Sequence, residues 1–158
     1  MAIGTDAAID FFGTQDTVTV GTGTSAVSDG AFSASGDVVS GGWTNDDDAP
    51  IAEAVLTWQY ASGTITGGIH LYARRMNVNG TADEPQPSLT CRRPYVGTFV
   101  LNTAQATTTD TTYAITIPLD NLYTSQVYEF YTENTSGVTM TAGWTVKITP
   151  KTLGPKPA

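Results

Sequence analysis

Residues 50–61 read PIAEAVLTWQYA. Ala52, Ala54, Leu56, Trp58 and Tyr60 fall at every second position, with Glu53, Thr57 and Gln59 between them. A period of two places successive side chains on opposite faces of a strand, so the stretch reads as a strand with one buried and one wet face. The competing reading is a helix over Asp48 to Ala61, the one segment long enough to consider for it. Its second half is β-branched and aromatic, which favours the strand.

Working outward, the same period returns. Gly67 and Gly68 turn the chain into Ile69 to Val78 (IHLYARRMNV), and Tyr95 to Leu101 (YVGTFVL) is the next strand. Tyr113 to Leu119 alternates with Tyr113, Ile115 and Ile117 inward; Val127 to Thr132 and Trp144 to Thr149 do the same. Between them, Asn79 to Ser88 is a loop because its Gly and two Pro break a hydrogen-bond ladder. The Asn-Thr-Ser-Gly at 134–137 reads as a tight connection. Upstream, Gly13 to Gly42 holds short apolar pulses (Val18 and Val20, Ala31 and Phe32, Val38 and Val39) between turn residues, hence short strands and loops. Many short strands and no helix give an all-β fold: a single antiparallel β-sandwich, expected as a jelly roll, with a barrel as the fallback. The sandwich is assigned to residues 1–149, including an extended N-terminal segment. Residues 150–158 form a tail whose three Pro make it a poor continuation of a sheet.

Composition agrees. The 158 residues have room for one domain. Only 14% are charged, against about 25% in ordinary soluble domains. The sequence holds 28 Thr and 16 Gly, and Thr suits a pleated, half-buried face. Lys and Arg number 7 against 15 Asp and Glu, a net charge of -8. So few cations argue against a nucleic-acid partner. No basic amphipathic stretch and no long apolar run point to a membrane. MAIGTDAAIDFFG has neither a basic start nor an unbroken apolar core, so no secretory leader is expected. The lone Cys91 leaves no internal disulfide to form.

Candidate chemistry is sparse. His70 is the only histidine and lies within a strand pattern, without the nucleophile elbow of a serine hydrolase. Cys91 is flanked by Arg92 and Arg93, which would lower a thiol pKa, but a lone cysteine in a strand-rich domain also serves as a small buried hydrophobe. No catalytic residue, enzymatic activity or cofactor is assigned. Asp46, Asp47 and Asp48 are weak candidates for a Ca²⁺ site, against the plainer reading of a solvated loop, because the EF-hand spacing is absent. Positive charge gathers in two places: Arg74, Arg75, Arg92 and Arg93, and then Lys147, Lys151 and Lys156. These are candidates for contact with an acidic partner surface through arginine–carboxylate bonds. The alternative is pairing with Glu53, Glu129 and Glu133 inside the domain. Trp43, Tyr72 and Tyr131 are the aromatics expected to be exposed, as glycan-stacking candidates.

WTNDDDAP (43–50), HLYARRMN (70–77) and AGWTVKITPKTLGPK (142–156) resemble a family of small bacteriophage and prophage structural proteins. The likeness runs along nearly the whole chain. It implies a virion protein, in particular a capsid decoration (cement) protein on the head surface, made in the host cytoplasm. The expected partners are the major capsid protein or another virion protein, and sister copies in a homo-oligomer, with a trimer as the expectation. The alternative is a virion- or tail-associated carbohydrate-binding module for host adsorption.

Overall fold

A computed structural model describes residues 17–38, 41–45, 49–78, 80–92, 94–119, 122 and 126–151. The alternating stretches become strands. In chain order these are β1 (Val18–Thr22), β2 (Ala31–Phe32), β3 (Trp43–Thr44), β4 (Ile51–Trp58), β5 (Gly68–Arg75), β6 (Tyr95–Val100), β7 (Thr111–Pro118), β8 (Val127–Asn134) and β9 (Thr145–Lys151). A single 3₁₀ turn, Ser35–Asp37, precedes β3.

The strands form two antiparallel sheets packed face to face. The first sheet has the order β1-β9-β4-β7; the second runs β2-β8-β5-β6, with β3 also on β8. β2 meets the far end of β8 (Phe32 opposite Glu133) and β3 its beginning (Trp43 opposite Tyr128), so together they act as one interrupted edge strand. The pairings are nested. β1 lies on β9, β2 and β3 on β8, β4 on β7 and β5 on β6, like successive rungs of one long hairpin. Two further pairings, β4 with β9 and β5 with β8, complete the two sheets.

Alternation explains the core. On β4, Ala52, Ala54, Leu56 and Trp58 are all fully buried, and they face Ile69, Leu71 and Ala73 of β5 in one hydrophobic cluster. Val146 and Ile148 of β9, Phe99 of β6 and Tyr128 and Phe130 of β8 complete it. The small Ala52 and Ala54 beside Trp58 let facing layers interdigitate. Gly97 turns its missing side chain to this interior: a Cβ there would stand 2.8 Å from Ile115 Cδ1 and 3.2 Å from Ile117 Cγ2, so glycine lets β6 approach β7 closely.

Several boundaries differ from the sequence reading. β9 continues through Pro150 to Lys151, two residues into the segment assigned to the tail. Proline lacks a ladder donor, yet Pro150 stays in register opposite Ala52 of β4; among the described residues the backbone pairing of β9 with β1 ends at Ile148. Val38 makes only an isolated bridge to Gly21 rather than a strand. β3 carried no alternation, being two residues long, and was not expected. The N-terminal segment through residue 16, Val39 and residues 152–158 lie outside the described residues.

Two buried polar side chains fasten the loops that join the sheets. Asp37, at the end of the 3₁₀ turn, accepts hydrogen bonds from Thr24 N (2.8 Å), Thr24 Oγ1 (2.7 Å), Ser25 N (3.2 Å) and Ala34 N (3.0 Å). Asn134 closes the 134–137 connection. Its amide donates to Val27 O (2.8 Å) and Val138 O (2.7 Å), while its Oδ1 accepts from Ser136 N (3.0 Å) and Ser136 Oγ (2.6 Å). Gly137 follows with φ +83°, a left-handed turn position that glycine adopts without strain.

Candidate functional site

The outer face of the second sheet carries most of the candidate residues. Along β5, Ile69, Leu71 and Ala73 point into the core, which leaves His70, Tyr72 and Arg74 on the other side. On β8, Glu129, Tyr131 and Glu133 share that side, opposite Arg74, Tyr72 and His70 in register. A two-sheet sandwich ordinarily leaves such a face to solvent. Here Tyr131 is 0% and Glu133 1% exposed, because the segment joining β5 to β6 reaches back over the sheet.

That segment is held by ion pairs. Arg74 Nε donates to Glu129 Oε2 (2.6 Å), and its Nη1 to Glu84 O (3.3 Å). Asp83 stands 3.9 Å from Arg74 Nη2. Arg75 is clamped by Glu84, whose carboxylate also accepts from Arg75 N (3.0 Å). Arg92 Nε and Nη2 both bind Glu133 Oε1, at 2.9 and 2.7 Å. Tyr72 donates to Glu133 Oε2 (2.7 Å) and Tyr131 to Glu129 Oε2 (2.9 Å). Arg74 also lies over the Tyr131 ring, 5.6 Å from its centroid.

The electrostatics follow from this packing. Burial works against ionising Glu133, but hydrogen bonds from Arg92 and then Tyr72 outweigh it and hold the carboxyl below its ordinary range. Glu84 is likewise held low: burial opposes its charge, and the side-chain and backbone bonds from Arg75 prevail. Burial, followed by a hydrogen bond to a carboxylate, pushes the Tyr72 and Tyr131 phenols well above their ordinary value.

The arginine cluster is therefore a structural clamp. Of the two readings of Arg74, Arg75 and Arg92, internal pairing is the one observed, with Glu129, Glu84 and Glu133 as the carboxylates. Lys151 reaches Glu53 at 3.8 Å. Lys147 is exposed on the outer face of the first sheet, between Thr19 and Val55. Arg93 and Lys156, and Asp46, Asp47 and Asp48, lie outside the described residues. Among the described residues, no three His, Cys, Asp or Glu gather as a metal-holding group.

The expected exposed aromatics need correction. Trp43, Tyr72 and Tyr131 are 6%, 3% and 0% exposed, so none offers a ring to a glycan. Trp43 packs edge-on against Phe130, 5.7 Å between centroids, because β3 turns it inward. Tyr72 and Tyr131 do sit on the outer face, where the clamped segment covers them. Among the described residues, the exposed ring on this face is instead Tyr95, at 57%, at the start of β6.

His70 is held on both sides. Its Nδ1 is 2.6 Å from Thr98 Oγ1 and its Nε2 3.1 Å from Thr135 Oγ1. Cys91 is half-buried in a small turn, where its backbone N and O pair with Ser88. Beside that turn, a groove of about 560 Å³ runs between edge strand β2 and the loop Gln86–Leu89.

The opposite surface is plainer. On the outer face of the first sheet, Thr22, Thr145, Thr57 and Thr112 line up in one row across all four strands. Thr149, Glu53 and Thr116 form a second row. Neighbouring hydroxyls meet, Thr57 with Thr112 at 3.1 Å and Thr17 with Thr149 at 2.9 Å. The Thr-rich composition thus becomes two hydroxyl rows on this face, with Thr19, Lys147, Val55 and Ala114 in the row between them.

Compared with known protein families, curated proteins and solved structures, the chain matches none.

Proposed function

We propose that this chain is a bacteriophage virion structural protein, a decoration protein that binds the outside of the head through the threonine-lined face of its first sheet. The observation that carries the reading is the row Thr22–Thr145–Thr57–Thr112. A row of hydroxyls, each able to donate and accept, suits a wet, hydrogen-bonded interface with another protein. Attachment by a basic patch is disfavoured, since Arg74, Arg75 and Arg92 are engaged by carboxylates of the chain itself.

The jelly-roll reading belongs to the same proposal. With β2 and β3 counted as one interrupted strand, the nested pairings about the β5–β6 connection are those of a hairpin ribbon rolled into two four-stranded sheets. Such a body is compact and stiff, as a cement protein bridging neighbouring capsomers needs to be. The resemblance of residues 43–50, 70–77 and 142–156 to phage structural proteins supports the virion setting. The partner is the major capsid protein or another virion protein, and the bound form is a homotrimer, so that several weak faces act together.

The test is rebinding to purified heads that lack the protein, with Thr112→Asp as the probe. Thr112 is exposed on edge strand β7, so the variant should fold and lose occupancy. Full occupancy by a folded Thr112→Asp would remove the threonine face from the account.

A further inference from the structure

Tyr95 stands apart from the other large aromatics of the second sheet because it is both open and fixed. Its ring meets Tyr72 edge-on at 5.8 Å and His70 edge-on at 6.2 Å, yet 57% of the residue faces solvent. Its hydroxyl is tied to Thr98 Oγ1 at 2.7 Å.

The hydrogen-bond directions follow from a carbonyl, which can only accept. Thr135 Oγ1 donates to Gly68 O (2.9 Å), so it accepts from His70 Nε2–H. In the singly protonated ring, Nδ1 accepts from Thr98 and Thr98 in turn accepts from Tyr95, which turns the Tyr95 proton inward and leaves its oxygen lone pairs as an outward acceptor. Arg92 supplies a donor nearby. Its Nε and Nη2 bind Glu133, whose other oxygen holds the Tyr72 hydroxyl, and Tyr72 is the ring beside Tyr95. The Arg92 side chain is 54% exposed, and Nη1 has no hydrogen-bond partner among the described residues.

We propose that Tyr95, with Arg92 beside it, is a saccharide-binding platform on the outer face of the second sheet. A pyranose ring offers what this geometry asks for: an apolar C–H face to lie on the phenol, a hydroxyl to donate to Tyr95 Oη, and an oxygen to accept from Arg92 Nη1. Thr98, His70, Thr135 and Arg92 rim the ring with polar groups, and Val100, 80% exposed, lies further along the same face of β6. Few, well-placed polar groups around an aromatic surface are the usual means of orienting a polar ligand. The platform is preorganised, since the His70 chain and the Glu133 clamp fix its parts before any ligand arrives, and that lowers the ordering cost of binding. The platform and the threonine face lie on opposite sheets, so the inference goes beyond the virion reading and stands or falls separately.

The experiment is a glycan array of neutral hexopyranose and uronic-acid oligosaccharides probed with the purified chain, followed by solution titration of the strongest binder. Tyr95→Ala should weaken binding roughly tenfold or more, as loss of a central aromatic anchor does. Tyr95→Phe, which keeps the ring, should fall between the two. Thr112→Ala, on the opposite sheet, should bind as wild type. A uronic-acid preference would give Arg92 a charged partner, and equal binding of neutral sugars a hydrogen-bonded one; both support the platform. Thermal melts establish that each variant is folded. No retained saccharide with the wild-type chain, or full affinity in folded Tyr95→Ala, overturns the proposal.

Discussion

Arg92 and Glu133 meet across the boundary between a loop and a sheet. The arginine side chain is 54% exposed and the glutamate side chain 1%, and Arg92 Nη2 lies 2.7 Å from Glu133 Oε1. The pair is asymmetric: removing the exposed partner strands a buried carboxylate, and a stranded buried charge is far more costly than a lost surface bridge.

Arg92→Ala should therefore lower the melting temperature more than Arg75→Ala, whose partner Glu84 has a side chain 24% exposed. Adding Glu133→Gln to Arg92→Ala should recover part of the loss, since the charge that needed compensation is gone. A double-mutant cycle by thermal unfolding reads this directly. Equal losses in the two single arginine variants would contradict the clamp.

Acid should loosen the same clamp. Glu133 and Glu84 are both held below the ordinary carboxyl value in the folded chain. A depressed folded pKa gives stability that is present above the unfolded value, about 4.3, and is lost as pH falls through the folded one. Melting temperature should hold steady from neutrality to about pH 5 and decline below about pH 4.3. Glu133→Gln should flatten part of that decline.

The alkaline side has the opposite sign. Tyr72 and Tyr131 have raised folded values, so their contribution is complete below the unfolded phenol value near 10 and is lost as pH rises beyond it. In a spectrophotometric titration, Tyr72 and Tyr131 should ionise only with unfolding. Tyr72→Phe should remove one of them.

The fold was legible where side chains alternate. Residues 50–61 announced β4 because Ala52, Ala54, Leu56 and Trp58 are all core residues, and the late strands followed by the same rule. What stayed hidden is non-local. Tyr131 and Glu133 sit on the face that alternation assigns to solvent, and the returning β5–β6 segment, with Phe32 of β2 beside Glu133, covers that face. That covering leaves no period in the sequence, and for the same reason Tyr72 was mistaken for an exposed ring while Tyr95 was passed over. The arginine pairs were half legible: Glu129 and Glu133 were among the candidate partners, but Glu84 lies in a loop and was not. Asp37 and Asn134 gave no signal, since a buried polar hub looks like any turn residue until its partners are known.

Asn134 is the clearest test of such a hub. Asn134→Ala leaves the backbone N–H of Ser136 without its acceptor in a fully buried site, and takes one of two donors from each of the Val27 and Val138 carbonyls, which keep Met140 N and Ser136 Oγ. A buried unsatisfied group costs about 1–3 kcal/mol, so the variant should lose about 2 kcal/mol. That corresponds to a fall of about 4–8 °C in a domain of this size. A loss under about 1 kcal/mol by chemical denaturation would mean that the 134–137 turn is held by other contacts.

Whether the chain decorates a phage head through the threonine face of its first sheet, as proposed, is read from a cryo-EM map of purified particles assembled with it. Two-sheet density is expected on the outer head surface, with Thr57, Thr112 and Thr145 turned toward a neighbouring virion protein. A particle without this chain, or one in which the threonine face looks out to solvent, would contradict the proposal.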